Sequence, residues 1–284
     1  MGSTVIGVAL ACAASLLFNA GIAIQALEVR QVPPEHGLRI SLLGRLVRRR
    51  RWLAGTALAA GAVPLQVGAN LLAPLTAVQP ADAAGLLLLL YLGSRVLGER
   101  VGVREVGAVV AIVGGITLLT AVAPEREVTH VGVGEGLLPL AVVALVALAP
   151  IALRRSLGPA SLVVVFGAGF AFALSAFAIK LMADAIDRGS WAALVSVSLA
   201  AAGGALAGTL TEQTALQRRP ATQVAPIIFV VELLVPVALA VVVVGEDWRG
   251  DAAPIAVALA LIVAGVVALA RAPQVARLLG SGGG

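Results

Sequence analysis

The residue with the clearest potential for chemistry is Glu232, a single carboxylate in the middle of the apolar run Thr222–Val244. An ionisable group inside an otherwise apolar membrane span is costly, so such groups usually mark a substrate pathway, a coupling site or a buried ion pair. Glu232 is therefore predicted to be a proton-coupling carboxylate or a ligand for a cationic substrate. The alternative is a structural carboxylate that is protonated or hydrogen-bonded to a neighbouring helix.

Two further candidates end the preceding apolar run, just before a basic break at residues 218–220. Glu212 either lines an inner vestibule or pairs with one of the two arginines of that break. Gln213 follows it directly on the same polar helix end. Lys180 is also a candidate, although its i, i+4 spacing from Asp184 favours a structural pair on one helix face.

Three side-chain amides in the first half of the chain complete the candidate set, namely Asn19, Gln66 and Asn70. In lipid, an amide must find a hydrogen-bond partner, often across a helix interface. All three are predicted to face the same cavity as Glu232. The alternative is that each amide only joins neighbouring helices.

The composition of the chain excludes a soluble protein. Of its 284 residues, 60% are hydrophobic and 12% are charged, whereas soluble domains carry roughly 25% charged residues. Nine apolar runs recur, each near the length that crosses a hydrocarbon core. They cover residues 4–27, 53–78, 81–97, 103–122, 137–153, 160–186, 191–217, 222–244 and 253–270. The predicted fold is an all-α integral membrane protein with nine transmembrane helices.

The placement of arginine predicts the orientation of these spans. If the N-terminus lies outside, sixteen arginines fall at the inner side and three at the outer side. The inner ones are Arg30, Arg39, Arg45, Arg48, Arg49, Arg50, Arg51, Arg95, Arg100, Arg104, Arg154, Arg155, Arg218, Arg219, Arg271 and Arg277. Because inner loops are enriched in basic residues, the N-terminus is predicted outside and the C-terminus inside. The run of four arginines at 48–51 is expected to bind anionic lipid.

The two halves of the chain share the same order of helices, breaks and loop residues. Residues 54–98 and 192–245 share a small-residue helix, a polar end, a proline break, a second span and a Gly-Glu pair. The first span pairs with the fifth in this scheme, and Gln79-Pro80 forms the outer turn between the second and third spans. An inverted (4+5) repeat follows, which is typical of alternating-access transporters.

The predicted organisation has four parts. A first repeat covers 1–123 and includes an interfacial amphipathic helix at 38–50. An outer linker covers 124–136, a second repeat 137–272 and a tail 273–284. In the fourth span, Gly107 and Gly114-Gly115 are predicted to allow close helix packing.

Several classes of function are excluded. The two histidines, His36 and His130, lie far apart in loops, which argues against a His-based metal site or catalytic triad. No Walker-type phosphate-binding motif is present, so direct drive by ATP is not predicted. The net charge of +5 follows from membrane topology, and no nucleic acid partner is expected. The chain is predicted not to be an enzyme and to need no cofactor.

Three segments carry a family resemblance. The sixth span contains GAGFAFALSAFAIKLMADAI, the seventh and eighth share ALQRRPATQVAPIIFVVE, and the first half contains GANLLAPLTAVQP. With the Gly-Glu pairs, these segments resemble the drug/metabolite transporter (EamA-like) superfamily, and most nearly its NIPA-like magnesium transporter branch. The resemblance implies an inverted-repeat transporter fold. It also places a lysine and an asparagine of that branch at Lys180 and Asn70.

The predicted function is secondary transport of a small molecule or ion across the plasma membrane by alternating access. One alternative is a NIPA-like transporter of Mg²⁺ or another divalent cation. The other is a non-transporting membrane scaffold, or an accessory of a lipid-linked-sugar flippase. Assembly as a homodimer is a further expectation, and the sequence predicts neither the substrate nor the direction of transport.

Overall fold

The computed structural model describes residues 2–73, 75–122, 133–157, 161–187, 189–239 and 252–271. Every regular element in these ranges is helical. Apart from one 3-10 turn at Pro34–His36, the helices are α1 (Gly2–Val29), α2 (Ile40–Leu46), α3 (Arg50–Leu72), α4 (Leu75–Arg95), α5 (Val103–Val122), α6 (Val133–Ala152), α7 (Leu162–Asp187), α8 (Trp191–Leu216), α9 (Ala221–Leu239) and α10 (Ala252–Ala270).

The length and hydropathy of these helices make the chain a multi-pass membrane protein. Among the described residues, α1, α3, α4, α5, α7, α8 and α10 are long and apolar enough to cross a membrane. Helices α6 and α9 contain shorter apolar stretches, Leu138–Ala152 and Ala221–Pro236. The all-α membrane character predicted from composition is confirmed, and the number of nine spans stays a prediction.

The turn between the second and third predicted spans lies earlier than the sequence suggested. Helix α3 ends at Leu72, and Ala73 is extended with φ −136° and ψ 148°. A residue that precedes proline is disfavoured in the helical region, and Pro74 follows Ala73. The pair Gln79-Pro80 was expected to form this turn, but it lies inside α4. The residues that follow Pro80, including Asp82, therefore lie in the interior of α4, whereas they were predicted at the start of a helix.

The basic segment after α1 folds into a shorter helix than expected. The predicted amphipathic helix at 38–50 is observed as α2, a seven-residue helix over Ile40–Leu46. Leu42 and Leu46 are fully buried, whereas Ile40 is exposed. Residues 124–132, most of the predicted linker, and the tail at 273–284 lie outside the described residues.

The same packing pattern occurs in both halves of the described chain. Helix α1 packs on α3 and α4, and α7 packs in the same way on α8 and α9. Helices α5 and α10 pack extensively against each other. Helix α6 lies mainly against α7. By this pattern, α1 in the first half occupies the position that α7 occupies in the second half. The sequence comparison had instead matched the first span with the fifth, which is α6.

Glycines permit the closest helix contacts. A Cβ atom at Gly21 of α1 would lie 2.6 Å from the carbonyl oxygen of Gly55 in α3. Between α5 and α10, a Cβ at Gly115 would lie 2.7 Å from the Ala258 oxygen. Small residues let two helix backbones approach in this way. Of the glycines predicted for close packing in the fourth span, Gly115 makes such a contact, and Gly107 and Gly114 have no neighbouring atom within 4 Å of such a Cβ.

Substituting Gly115 with alanine is expected to lower the melting temperature of the detergent-solubilised protein. The added methyl group meets the backbone of α10, and overpacking of this kind costs about 1–3 kcal/mol. The matched control is Gly114→Ala, because a Cβ at Gly114 meets nothing within 4 Å. Equal melting temperatures for the two variants would contradict the close α5–α10 contact.

Candidate functional site

Buried polar residues concentrate around the turn between α8 and α9. The residues at the end of α8, from Thr211 to Leu216, are all buried. The side chains of Gln213 and Thr214 have no exposed surface. Polar groups buried in a membrane protein need hydrogen-bond partners within the bundle. We call this region the turn layer, and its partners come from α1, α3 and the segment before α2.

Gln213 is the centre of a hydrogen-bond chain in the turn layer. The indole Nε1 of Trp52 donates to its Oε1 at 3.1 Å, and its Nε2 donates to Oε1 of Gln25 at 2.7 Å. The Nε2 of Gln25 in turn donates to Oγ1 of Thr56 at 3.2 Å. Both ends of the Gln213 amide are therefore occupied. Its role in the structure is to join α8 to α1 and α3.

Replacing Gln213 with leucine is expected to destabilise the protein by about 1–3 kcal/mol. The substitution leaves the buried indole N–H of Trp52 without its acceptor, and an unsatisfied buried group costs roughly that much. Thermal unfolding in detergent measures the effect. Asn70→Leu is the control, since the Asn70 side chain is exposed. A loss as large for Asn70→Leu as for Gln213→Leu would contradict the assignment.

A carboxylate that follows α4 caps the start of α9. Glu99 is buried and accepts hydrogen bonds from the backbone N–H of Ala221 at 2.7 Å and of Thr222 at 3.0 Å. The Thr222 hydroxyl donates to the same carboxylate at 2.7 Å. A negative charge at a helix N-terminus is stabilised by the helix dipole and the free N–H groups. Gly98 positions Glu99, because its backbone adopts φ +64°, which favours glycine.

Arg30 at the end of α1 completes this arrangement. Its guanidinium forms an ion pair with Glu99. The same guanidinium donates to the carbonyl oxygens of Leu216 at 3.4 Å and Arg219 at 3.5 Å. We call Arg30, Glu99, Ala221 and Thr222 the Glu99 cluster. It ties the α8–α9 turn of the second half to α1 and α4 of the first half.

The Glu99 cluster was not among the predicted site residues. In the sequence, Gly98-Glu99 was interpreted only as a short loop that ends a span. The available signal was the Gly-Glu pair directly after a span, combined with a basic residue at the end of α1. Neither indicates that the two charges meet.

Arg219 is another buried charge beside this cluster. Its exposure is 5%, and one nitrogen lies 3.5 Å from Oε1 of Gln223. Burial lowers the pKa of the Arg219 guanidinium.

Glu212 and Glu232 approach each other between α8 and α9. Side chains lean toward the N-terminus of their own helix, and these two helices are joined by a short turn. Glu212 therefore leans away from the turn, whereas Glu232 leans toward it. The two carboxyl groups lie close enough to interact electrostatically. Glu212 is buried, and Glu232 is half-buried.

A second polar group joins α1, α3 and α4. The Nε2 of Gln66 donates to Oδ2 of Asp82 at 2.8 Å, and the Ser15 hydroxyl donates to the backbone oxygen of Asp82. The Nδ2 of Asn19 donates to the backbone oxygen of Ser15 at 2.8 Å. We call these four residues, with Gln79 one turn before Asp82, the Asp82 cluster. It includes two predicted residues: Gln66 bonds the Asp82 carboxylate directly, and Asn19 is linked to Asp82 through Ser15. Asp82 itself was predicted only to open a span.

The Asp82 cluster contains oxygen atoms without hydrogen-bond donors. Oδ1 of Asn19, Oε1 of Gln79 and Oδ1 of Asp82 are buried and have no partner among the described residues. Unsatisfied buried acceptors are uncommon, and each requires an explanation. Each of these oxygens can accept a proton donor or contact a cation.

Asp82 and Glu232 lie at similar depth in the bundle. The helices α4 and α9 touch where Gly93 leaves no room for a side chain against the Thr222 methyl group. Asp82 lies eleven residues before Gly93, and Glu232 lies ten residues after Thr222. With a helix rise of 1.5 Å per residue, both are roughly 15–17 Å from that contact. That distance is about half the thickness of a hydrocarbon core.

The remaining predicted residues are placed as follows. Asn70 is exposed on α3, and its position in the same cavity as Glu232 stays a prediction. Lys180 belongs to α7, but its side chain lies outside the described part of the structure. Of the predicted lipid-binding arginines, Arg49 forms an ion pair with Glu28 at 3.1 Å. Arg48, Arg50 and Arg51 are exposed.

Comparison of the chain with family models, curated proteins and solved structures finds no match. A functional assignment therefore depends on the geometry of these clusters.

Proposed function

We propose that the protein is a secondary transporter that moves a small solute across the membrane by alternating access. The observation that carries this proposal is the position of carboxylates from both halves at a common depth. Asp82 belongs to the α1–α3–α4 group, and Glu232 belongs to the matching α7–α8–α9 group. Sites of inverted-repeat transporters lie near the bilayer midplane, at the interface of the two repeats.

The proposal includes the finer topology expected from the sequence. The chain crosses the plasma membrane nine times, with the N-terminus outside and the C-terminus inside. The pairing of α1 with α7 supports an inverted repeat, because these helices then run in opposite directions. This arrangement resembles that of the drug/metabolite transporter superfamily.

Each cluster has a proposed task in the transport cycle. Glu232 and Glu212 bind the coupling proton or a cationic group of the substrate, since a positive charge between two carboxylates relieves their repulsion. Asp82 is the corresponding carboxylate of the first half. The Glu99 cluster closes the inner end of the path by holding α9 against α1 and α4. Opening toward the inside requires these contacts to separate.

Reconstitution tests the proposed function. Purified protein in liposomes is exposed to gradients of amines, amino acids, sugars and metabolite anions, and charge or proton movement is recorded by solid-supported membrane electrophysiology. We expect at least one solute class to give a saturable signal that protein-free liposomes lack. If every class gives only the protein-free signal, with correctly folded protein present, the transporter proposal fails.

One observation favours a divalent cation such as Mg²⁺ as the substrate. The three unpartnered oxygens of the Asp82 cluster include a carboxylate and two amides. Magnesium prefers oxygen ligands, and it commonly uses one or two carboxylates while keeping several waters. This second candidate predicts Mg²⁺ flux in the same liposomes, reported by an entrapped Mg²⁺-sensitive dye. The absence of Mg²⁺ flux beside transport of an organic solute would reject it.

A further inference from the structure

A cavity of about 290 Å³ opens on the surface beside the 3-10 turn that follows α1. Its walls come from three places in the sequence. The segment from Pro34 to Arg39 forms one wall, and Arg154, Arg155 and Leu157 after α6 form another. Thr214 of α8 contributes to the lining. The cavity is separate from the Asp82 cluster and from the carboxylates of α8 and α9.

The lining of this cavity is strongly basic. Arg39, Arg154 and Arg155 all contribute to it, and all three are exposed. Within the described part of the chain, none of them forms an ion pair. Glu35 is the lining carboxylate, and its nearest charged partner is His36 at 3.9 Å. With three arginines against one carboxylate, the lining carries an excess of positive charge.

The wall beside these arginines is held in an unusual backbone conformation. Leu38 has φ +56°, in the left-handed region, which costs a non-glycine residue about 1–2 kcal/mol. Its backbone N–H donates to Oγ1 of Thr214 at 2.9 Å, and its side chain is buried. Thr214 itself is anchored by a 2.7 Å bond to the oxygen of Leu210. Strain that is maintained by surrounding contacts is common at ligand sites.

Membrane topology alone does not account for this arrangement. The basic bias of inner loops explains why arginines lie on this side of the protein. It does not require Arg39 to converge with Arg154 and Arg155, which lie more than a hundred residues away in the sequence. Guanidinium groups present planar pairs of donors that match phosphate oxygens, so they are the preferred ligands for phosphate groups.

We infer that this cavity is a binding site for a phosphate group, supplied by an anionic phospholipid headgroup or by a soluble phosphate compound. The ligand would be held by arginines from both halves of the chain, with Arg39 on one side and Arg154 and Arg155 on the other. Binding would therefore link the segment after α1 to the segment after α6. This inference does not depend on the proposed transport activity.

Two probes and a matched pair of variants test the site. Detergent-purified protein is titrated with short-chain phosphatidylglycerol in one arm and with glycerol 3-phosphate in the other, and bound ligand is counted by native mass spectrometry. Short-chain phosphatidylcholine is the control lipid. The test variant replaces Arg39, Arg154 and Arg155 with glutamine. The control variant replaces Arg95, Arg100 and Arg104 with glutamine, which removes the same charge on the same predicted side.

We expect the wild type and the control variant to bind one of the two anionic probes, and the test variant to bind it at least tenfold more weakly. The arm that responds identifies the source of the phosphate. Binding of neither probe, or an equal loss in both triple variants, would overturn the inference. If the triple test variant does not fold, Arg39→Gln alone is used, because Arg39 is exposed. It is expected to weaken binding about threefold, and unchanged binding would overturn the inference.

Discussion

Glu99→Ala is expected to destabilise the protein by roughly 3–5 kcal/mol, which is the typical cost of removing one partner of a buried ion pair. The substitution leaves Arg30 without its carboxylate at a site where only 16% of the arginine side chain is exposed. It also removes the acceptor for the first two backbone N–H groups of α9. Loss of a helix cap alone costs about 1 kcal/mol. Thermal unfolding in detergent, followed by intrinsic fluorescence, measures the total.

The control for this prediction is Glu105→Ala. Glu105 caps the start of α5 by accepting a 2.8 Å hydrogen bond from the Gly102 N–H, but this bond is exposed and involves no ion pair. We expect a loss of at most about 1 kcal/mol. Similar losses for the two variants would show that the Glu99 cluster contributes no more than a surface cap.

A double substitution separates charge pairing from capping. Replacing Arg30 with methionine in the Glu99→Ala protein removes the uncompensated charge. We expect the double variant to be more stable than Glu99→Ala alone, because an isolated buried charge is worse than none. A double variant that is less stable by the full sum of the single losses would argue against the pairing.

Asp82→Asn and Glu232→Gln are each expected to reduce transport by about 10- to 100-fold while leaving the protein folded. A hydrogen bond to a charged group contributes about 1.5–3 kcal/mol, and each 1.4 kcal/mol corresponds to a factor of ten. Both amides keep the size of the side chain but carry no negative charge to pair with a cation, and they cannot exchange a proton. Initial rates in liposomes at saturating solute measure the loss, and the melting temperature reports on folding.

Glu105→Gln serves as the neutralisation control, because Glu105 lies in the exposed first turn of α5, away from both clusters. We expect it to transport at the wild-type rate. Substrate counterflow adds a readout that depends on coupling. A variant that lacks its coupling carboxylate can lose gradient-driven transport and still exchange substrate across the membrane. Wild-type rates for both Asp82→Asn and Glu232→Gln would remove the carboxylates from the proposed path.

Part of the candidate site was readable from the sequence. The polar end of α8 and the lone carboxylate of α9 stand out against apolar neighbours, so Glu212, Gln213 and Glu232 were found directly. Asp82 was missed because the turn was expected at Gln79-Pro80. The true turn precedes Pro74 and moves Asp82 more than one helical turn into α4. Proline is a weak marker here, since a proline inside a membrane helix is tolerated where neighbouring groups satisfy the freed backbone.

The sequence by itself determined the all-helical membrane character of this protein and the bounds of its most uniform spans. The range 103–122 was predicted for the fourth span and is observed unchanged as α5. This succeeds because hydropathy and span length are local properties that the bilayer imposes on each segment.

Only the tertiary structure decided which polar groups meet. It brought Arg30 to Glu99, joined Gln66 to Asp82 directly and Asn19 to Asp82 through Ser15, and left Asn70 exposed. It also gave α1 and α7 equivalent positions in the two halves and placed arginines from two distant loops around one cavity. The physical reason is that a buried polar group needs a partner, but its choice of partner depends on how the helices rotate and pack. No local pattern in the sequence records that choice.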